Sequence, residues 1–560
     1  MKPAICLNLF YLVFIAILSA SSVAQVHDPR ALQADPKTAK KPIAPILDGL
    51  GTREFKVTTN NPKSQLFFNQ GVRLNAAFNH SEALRSFKEA VRLDPENAMA
   101  YWGWALVLGP NLNLPMQDEV VGQAYQAVQS ALALKDKVSE RERDYIEALA
   151  VRYRAEAVSD RSALDQAYVD KMRDLVAKYP DDLDAKVYYA AAIMNTNPWD
   201  YWYQDGSPKP HTEIVMQTLA EVIQQDPQHP AAHHYLIHTV EAFRPELGVN
   251  SADALRNLMP GAGHLVHMPS HIYMRVGRYA DSYKANQAAI KVDKKYITQC
   301  QVQGMYPLTY YPHNWHFLTW SAMFLGRYED AMHAARQVVE QIPAGEMGNT
   351  WALNESFRSQ PMFVLARFGR WDDILNEQAP AENEIFMTGV WHYIRGLAFA
   401  NLNDIDKAQA EQQKLQTLQQ KIVADTEYYI GFGAAGGLLE IANETLQGEI
   451  LVAKKNYAEG IGHLQRAVRL QDGLAYNEPP DWYFPVRHYL ADALLVSGAP
   501  AEAEVIYWQD LQMNPNNGYA LYGLLNSLNA QGKKDTAAVI EKRFKKAWQD
   551  ADMQLTSSKF

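Results

Sequence analysis

From about residue 63 to about residue 550, apolar residues recur at intervals of three and four, which is the pattern of amphipathic helices. Short polar segments separate apolar stretches of similar length. No stretch of alternating apolar and polar residues in this region is long enough to predict a sheet. The pattern therefore predicts an all-α protein built from many helices of similar size.

The pattern also repeats along the chain, most clearly in the 34 residues of 64–97. Small and large residues stand there at fixed places, namely Gly71, Ala83, Phe87, Ala90 and Pro95. The stretch resembles the tetratricopeptide repeat, in which two antiparallel helices pack closely through small residues and a proline ends the second helix. The turn between paired helices returns as "GRYADS" at 277, "GRYEDA" at 326 and "GRWDDI" at 369, and more weakly as "NDIDKA" at 403 and "KNYAEG" at 455.

This resemblance covers roughly residues 63–550. It implies a right-handed α-solenoid of about ten helix pairs with a concave groove. The net charge of −10 is spread along the chain without a basic stripe, so the sequence does not predict binding to nucleic acid.

Both ends of the chain lie outside the repeats. Residues 1–24 predict a secretory signal peptide, because a positive start precedes an apolar run, residues 5–18, that is short for a membrane span of roughly 20 residues. Residues 25–62 predict a linker or a loosely packed N-terminal arm, and residues 551–560 a C-terminal tail. The sequence thus resembles an exported, bacterial-type member of the repeat family, periplasmic or secreted, with no stable membrane span after cleavage. The mature chain then keeps one cysteine, Cys300, which we expect to be buried and not catalytic.

Cleavage can be tested on the protein isolated from its native source. We expect sequencing of the mature amino terminus to begin at Gln25 or a close neighbour, because small residues precede that position. An intact Met1 on the native protein would contradict export with cleavage.

Histidine is concentrated in one part of the chain, with eight of the sixteen between residues 233 and 316. Positions 2, 5, 9 and 12 of a first repeat helix share one face, because each residue turns the helix by about 100°. The repeats that begin at residues 230, 263 and 312 place seven histidines and one glutamate at these positions. The eight residues are His234, His238, Glu241, His264, His267, His271, His313 and His316.

The resemblance implies that this face lines the concave groove, so we expect the eight side chains to form a metal site within residues 230–325. Neutral imidazole is the commonest metal ligand in proteins, and spacings of three and four residues pair ligands on one helix face. Eight candidates suffice for two ions with open positions. Copper or iron is favoured, and zinc or manganese is compatible. Hydrogen bonding to an anionic or peptide ligand is the alternative.

Other residues are candidates for substrate contact or for support of the metal ligands. They are Trp320, Met274, Met323, Glu478, Asp481, Trp482, Arg487 and His488. The two methionines are more typical of groove packing. The group around His488 either contacts substrate at the far end of the groove or closes the solenoid. The aromatic loop at residues 197–206 is either a lid or packs within itself, and His233, at position 4, is expected to be buried and not to bind metal.

Motifs of other chemistries are absent from the sequence or out of context. There is no HExxH, CxxC, P-loop or GxSxG motif, and "GFGAAG" at 431 lacks the strand–helix–strand unit of a dinucleotide site. The sequence therefore predicts an exported solenoid metalloprotein with a dinuclear, histidine-rich centre, an oxidoreductase acting with dioxygen on a small molecule or peptide in the groove. The alternatives are a scaffold that binds a peptide or envelope protein, and a metal-capture protein.

Overall fold

The structure is a computed structural model that describes residues 27–342, 351–423, 429–430 and 433–559. The predicted signal peptide lies outside these residues. The described part is an all-α solenoid of helix pairs, which confirms the predicted fold class. None of the helices in these ranges is both long and apolar enough to cross a membrane.

Most helices form the two members of a repeat and follow one another through short connections. The first group is Pro29–Gln33, Pro62–Ala76, His80–Leu93, Ala98–Val107, Asp118–Ala133, Glu140–Ala150, Ser162–Lys178, Leu183–Thr196, Pro210–Gln225, Pro230–Val240, Val249–Leu258, Gly263–His267, Pro269–Arg275, Tyr279–Cys300 and Met305–Leu308. The second group is Tyr310–Phe324, Tyr328–Gln341, Trp351–Arg358, Gln360–Arg367, Trp371–Asn376, Ile385–Asn401, Ile405–Val423, Ala435–Ala453, Tyr457–Asp472, Arg487–Val496, Pro500–Met513, Gly518–Ala530 and Lys534–Ala547. Two 3₁₀ helices, Lys135–Lys137 and Pro245–Gly248, lie between them.

The turns between paired helices confirm the repeat phase read from the sequence. The turn residue adopts a left-handed backbone conformation, with φ between 60° and 74°, at Gly277, Gly326, Gly369, Asn403 and Lys455. Glycine adopts this conformation without a steric penalty, and asparagine tolerates it better than most residues. Each of the five turns lies where its motif predicts it.

A short hairpin occupies the described part of "GFGAAG". The strand Tyr429–Ile430 pairs antiparallel with Gly433–Ala434, and the helix Ala435–Ala453 follows. A dinucleotide-binding turn needs a parallel strand on each side of the helix. The antiparallel pairing therefore shows that this segment is not a dinucleotide-binding turn.

The chain folds into two compact units. One consists of Gln25–Ile272 and Ala288–Pro307, and the other of Tyr273–Gln287 and Leu308–Phe560. We call them the histidine unit and the C-terminal unit. Within the histidine unit, the small residues of the first repeat serve close packing as the resemblance implies. A Cβ atom at Gly71 would lie 2.7 Å from the ring of Phe87.

Residues 27–61 form an arm that packs along the histidine unit, whereas the sequence suggested a linker or a loosely packed segment. The Nζ atom of Lys88 donates to three carbonyl oxygens of the arm at 2.7–2.9 Å, those of Ala31, Leu32 and Ala34. Burial lowers the pKa of Lys88 to about 8. A buried ammonium group that binds three carbonyls ties the arm to the first repeat.

The C-terminal unit curls until its first and last repeats meet. A Cβ atom at Gly277 would lie 2.0 Å from the carbonyl oxygen of Pro515, so this contact requires glycine. The predicted tail, residues 551–559, packs on the same unit, where Asp552 Oδ1 accepts a hydrogen bond from the backbone nitrogen of Tyr328 at 2.9 Å. The helical period did not predict this closure, because it depends on contacts between distant repeats.

Candidate metal centre

Two successive first helices of the histidine unit carry six of the eight predicted ligands. One helix is Pro230–Val240, and the other starts at Gly263 and is broken at Pro269, whose nitrogen has no hydrogen to donate. A Cβ atom at Gly263 would lie 1.9 Å from Asp293 Oδ1, so the helix can start against this carboxylate only with glycine. The six residues are His234, His238 and Glu241 from the first helix and its end, and His264, His267 and His271 from the second.

All six side chains are buried, whereas the sequence placed them on an open groove wall. Their exposed fractions run from 0% at His234 to 5% at His271. Burial lowers the pKa of His234 and of His264 well below its ordinary value, and it also lowers the pKa of His238. These imidazoles are therefore neutral at pH 7, which is the form that binds metal ions.

Three histidines of the two helices form one compact group. His234, His238 and His264 can each offer one ring nitrogen such that all three atoms lie within 4.8 Å of one another. The Nε2 atoms of His234 and His238 are 3.1 Å apart. Two nitrogen ligands of a tetrahedral ion with bonds of 2.0–2.1 Å lie about 3.3 Å apart, so this spacing fits a shared ion.

Glu241 lies on the outer side of two imidazoles. Its Oε1 atom is 3.1 Å from Nδ1 of His238, and its Oε2 atom is 2.8 Å from Nδ1 of His271. Burial alone would raise the pKa of Glu241, but the two imidazoles lower it to about 2. The carboxylate is therefore ionised, and it holds both rings with their Nε2 atoms directed away from it.

Hydrogen bonds fix the tautomers of His234 and His238. Nδ1 of His234 donates to the carbonyl oxygen of Ala76 at 2.8 Å, and Nδ1 of His238 donates to Glu241. Since both partners only accept, each Nδ1 carries the proton and each Nε2 carries a lone pair. The two lone pairs face each other at 3.1 Å. Two facing lone pairs repel, and a cation placed between them would relieve this repulsion.

A histidine pair adjoins the three-histidine group. The Nε2 atoms of His267 and His271 are 2.9 Å apart. The ring of His267 lies 6.0 Å from that of His264, and the ring of His271 lies 5.8 Å from that of His238, between ring centres. The pair and the group thus form one continuous cluster of imidazoles.

Two aromatic residues enclose His238, namely Phe78, which the sequence pattern does not single out, and Trp199 of the aromatic loop at residues 197–206. The ring of Phe78 stacks on His238 with centres 5.7 Å apart and an angle of 4°, and the ring of Trp199 meets it edge-on at 5.2 Å. Both have a left-handed backbone, with φ of 54° at Phe78 and 61° at Trp199. Such strain in aromatic residues is often kept at functional sites. Phe78 occupies the turn position where other repeats have glycine, which is the signal that could have identified it.

The aromatic loop of residues 197–206 packs on the histidine helix. Besides the contact of Trp199 with His238, Nε1 of Trp202 donates to the carbonyl oxygen of Thr239 at 2.8 Å. Trp199 is half-buried. Packing within the loop alone, one of the two interpretations of the sequence, does not account for these contacts. The contact of Trp199 with His238 agrees with the other interpretation, in which the loop covers the site.

The remaining histidines of the predicted site belong to the C-terminal unit. His316 is buried on the helix Tyr310–Phe324, its ring 5.2 Å from that of Phe357, and burial lowers its pKa to about 3. The ring of His313 lies 4.9 Å from that of Phe317. Their participation in a metal site stays a prediction. In the histidine unit, His233 is buried and its two ring nitrogens lie within 3.0 Å of Ser251 Oγ and the Pro227 carbonyl oxygen, as a structural role requires.

The predicted supporting residues of the C-terminal unit have structural partners. Ser321 Oγ donates to Met274 Sδ at 3.4 Å, and Trp320, Met323 and Trp482 are buried among apolar side chains. The group around His488 does not converge on one site. Its members contact Asp510 (His488, 3.0 Å), Asp472 (Arg487, 2.6 Å), Asn477 (Asp481, 2.6 Å) and Tyr476 (Glu478). His488 was expected to face the groove, but it is fully buried against the second helix of its own repeat.

Comparison with models of protein families finds no match, and a search among curated proteins finds none. Among solved structures, a human IFIT1 dimer with m7Gppp-AAAA matches over 88% of this chain and 92% of that chain, with 13% identity and a TM-score of 0.30. Yeast Tom70 matches over 86% of this chain and 99% of that chain, with 11% identity and a TM-score of 0.31. The Cut9–Hcn1 hetero-tetramer of APC/C matches over 86% and 76%, with 12% identity and a TM-score of 0.27. Similarities this distant do not inform function, and the fold assignment rests on the helix pairs themselves.

Proposed function

We propose that the histidine unit binds a transition-metal ion at His234, His238 and His264. The observation that carries the proposal is the pair of lone pairs facing each other at 3.1 Å between His234 and His238. Three imidazoles leave one position of a tetrahedral ion open for water or substrate. Glu241, predicted as a ligand, is assigned instead to orientation, because a carboxylate on the Nδ1 side of a metal-bound imidazole fixes its tautomer and direction.

His267 and His271 supply a second ion with two ligands in this proposal. Their Nε2 atoms are 2.9 Å apart, and they adjoin the first group through His264 and His238. Imidazole ligands suit copper, iron and zinc, whereas manganese prefers carboxylate ligands and is less favoured at three imidazoles.

The reaction we infer is an oxidation that uses dioxygen in an exported protein. Copper or iron held by His234, His238 and His264 and by the adjoining pair His267 and His271 would supply the redox chemistry, and the chain contributes neutral ligands and a buried site that excludes bulk water. Dioxygen consumption by the metal-loaded protein with a reporter phenol tests this class. Metal binding without dioxygen consumption would favour metal capture instead.

Elemental analysis of protein purified without a histidine tag tests the metal centre itself. We expect one to two transition-metal ions per chain. A content below about 0.2 ions per chain, after reconstitution with copper, iron, manganese and zinc, would contradict the proposed metal centre. It would favour a scaffold that binds a peptide or envelope protein.

A role for Phe78 in positioning His238 predicts that Phe78→Gly lowers metal affinity about tenfold. The variant loses the stacked ring but keeps a residue that prefers the left-handed turn, so roughly 1 kcal/mol of backbone strain is relieved. Competition with a chromophoric chelator measures the affinity. The matched control is Lys455→Gly, which makes the same change in a turn of the C-terminal unit, where φ is 62°. Equal affinities in the two variants would exclude this role.

A further inference from the structure

Residues 43–58 of the arm form neither helix nor strand and are held by side chains of the histidine unit; we call them the arm segment. The side-chain amide of Gln70 binds both a carbonyl oxygen and an amide nitrogen of this segment. Its Nε2 donates to the Pro45 carbonyl oxygen and its Oε1 accepts from the Leu47 nitrogen, each at 2.9 Å. Gln65 does the same further along, at 2.8 Å to the Phe55 carbonyl oxygen and 3.0 Å to a backbone nitrogen two residues later. The two glutamines therefore bind the segment as a neighbouring strand would, without a sheet.

Two side chains of the arm segment, Phe55 and Arg53, contact aromatic rings and carboxylates of the histidine unit. Phe55 is 2% exposed, with its ring 5.7 Å from that of Phe68 and 5.6 Å from that of Tyr145. Arg53 lies 2.9 Å from Asp184 and 2.7 Å from Asp226. An aromatic ring in an aromatic pocket and a guanidinium between two carboxylates are the contacts that give a bound peptide its specificity.

The neighbouring side chains point away from the histidine unit. Glu54 and Lys56 are exposed, so alternate side chains of the segment contact the histidine unit and the side chains between them face solvent. This is the pattern of an extended ligand on a recognition surface. The surface is assembled from helices that are far apart in sequence, because Arg53 reaches a residue 173 positions away in the chain.

We propose that this surface recognises extended peptides with an arginine two residues before an aromatic residue, and that the arm segment is its resident ligand. A peptide of this pattern in another protein competes with the arm when the arm opens. The proposal does not depend on the metal centre, and it gives a specific form to the peptide scaffold that the sequence left open.

Fluorescence anisotropy with a labelled synthetic peptide of residues 41–61 tests the proposal on the full chain. We expect no saturable binding to the wild-type protein, whose surface is filled, and saturable binding to the double variant Arg53→Ala/Phe55→Ala, whose own arm is weakly held. The affinity should fall at least tenfold for a peptide that carries the same two alanines. The matched control Glu54→Ala/Lys56→Ala changes exposed side chains only and should behave as wild type.

Failure of the double variant to bind the peptide, while it keeps the circular dichroism of the wild type, would overturn the proposal. Equal binding of the alanine peptide would do the same. If the double variant does not fold, hydrogen exchange on the wild-type protein decides. The proposal requires the backbone amides of Phe55 and Val57 to exchange through a local opening, faster than those within the helix Pro62–Ala76. Exchange of these amides only through global unfolding would show that the arm is a fixed part of the fold.

Discussion

His238→Ala is expected to lower the affinity of the protein for its transition metal by more than about 100-fold, since even a change in a group that only orients a ligand costs 10–100-fold. The variant removes one of three nitrogens that lie within 4.8 Å of one another and leaves Glu241 without one of its two imidazole partners. His264→Ala should have a similar effect although it lies on another helix. Chelator competition and metal content per chain measure both variants.

The two ion positions can be separated by the same measurements. His267→Ala should reduce the content from two ions to one and leave the tighter ion in place, because its partner at 2.9 Å is His271. The control is His463→Ala, a half-buried histidine of the C-terminal unit that pairs with Glu444 at 2.8 Å. It should retain full metal content. Equal losses in all of these variants, or none in any, would show that the histidines do not form a localised centre.

The fold and the choice of site residues could be predicted because both depend on local periodicity. The five turn motifs fixed the repeat phase, and the left-handed φ at positions such as Asn403 and Lys455 confirms it. The same phase placed His234, His238 and His264 on one face, and the structure brings their nitrogens together. A helical period reports which side chains share a face, and that was sufficient for these residues.

Burial and the surroundings of the site could not be predicted from the same pattern. Whether a shared face is open or closed depends on the curvature of the solenoid, which arises from contacts between distant repeats. His234 donates to the carbonyl of Ala76, a residue 158 positions away, and Phe78 covers the site from the same turn. The sequence predicts a linker or a loose arm because residues 25–62 have no apolar period of their own. The hydrogen bonds that hold the arm go to side chains of other elements.

The free energy of unfolding is expected to fall as the pH drops from 7 to 5, in part because of His80. Burial and the neighbouring His27 lower the pKa of His80 to about 3. In the unfolded chain this imidazole takes up a proton near its ordinary pKa of about 6.5, so the unfolded state binds more protons throughout this range. The titration of His80 therefore lowers the free energy of unfolding by up to about 2 kcal/mol at pH 5.

His80→Gln removes this titration, so the variant should lose up to about 2 kcal/mol less than the wild type between pH 7 and pH 5. Urea unfolding of the metal-free protein at both pH values, followed by circular dichroism, measures the difference. Leu84→Ala is the control, because Leu84 is fully buried on the same helix and carries no proton, so its cost of about 2–5 kcal/mol should be equal at both pH values. An identical loss of stability in the wild type and in His80→Gln would show that His80 is protonated as readily in the folded chain as in the unfolded one.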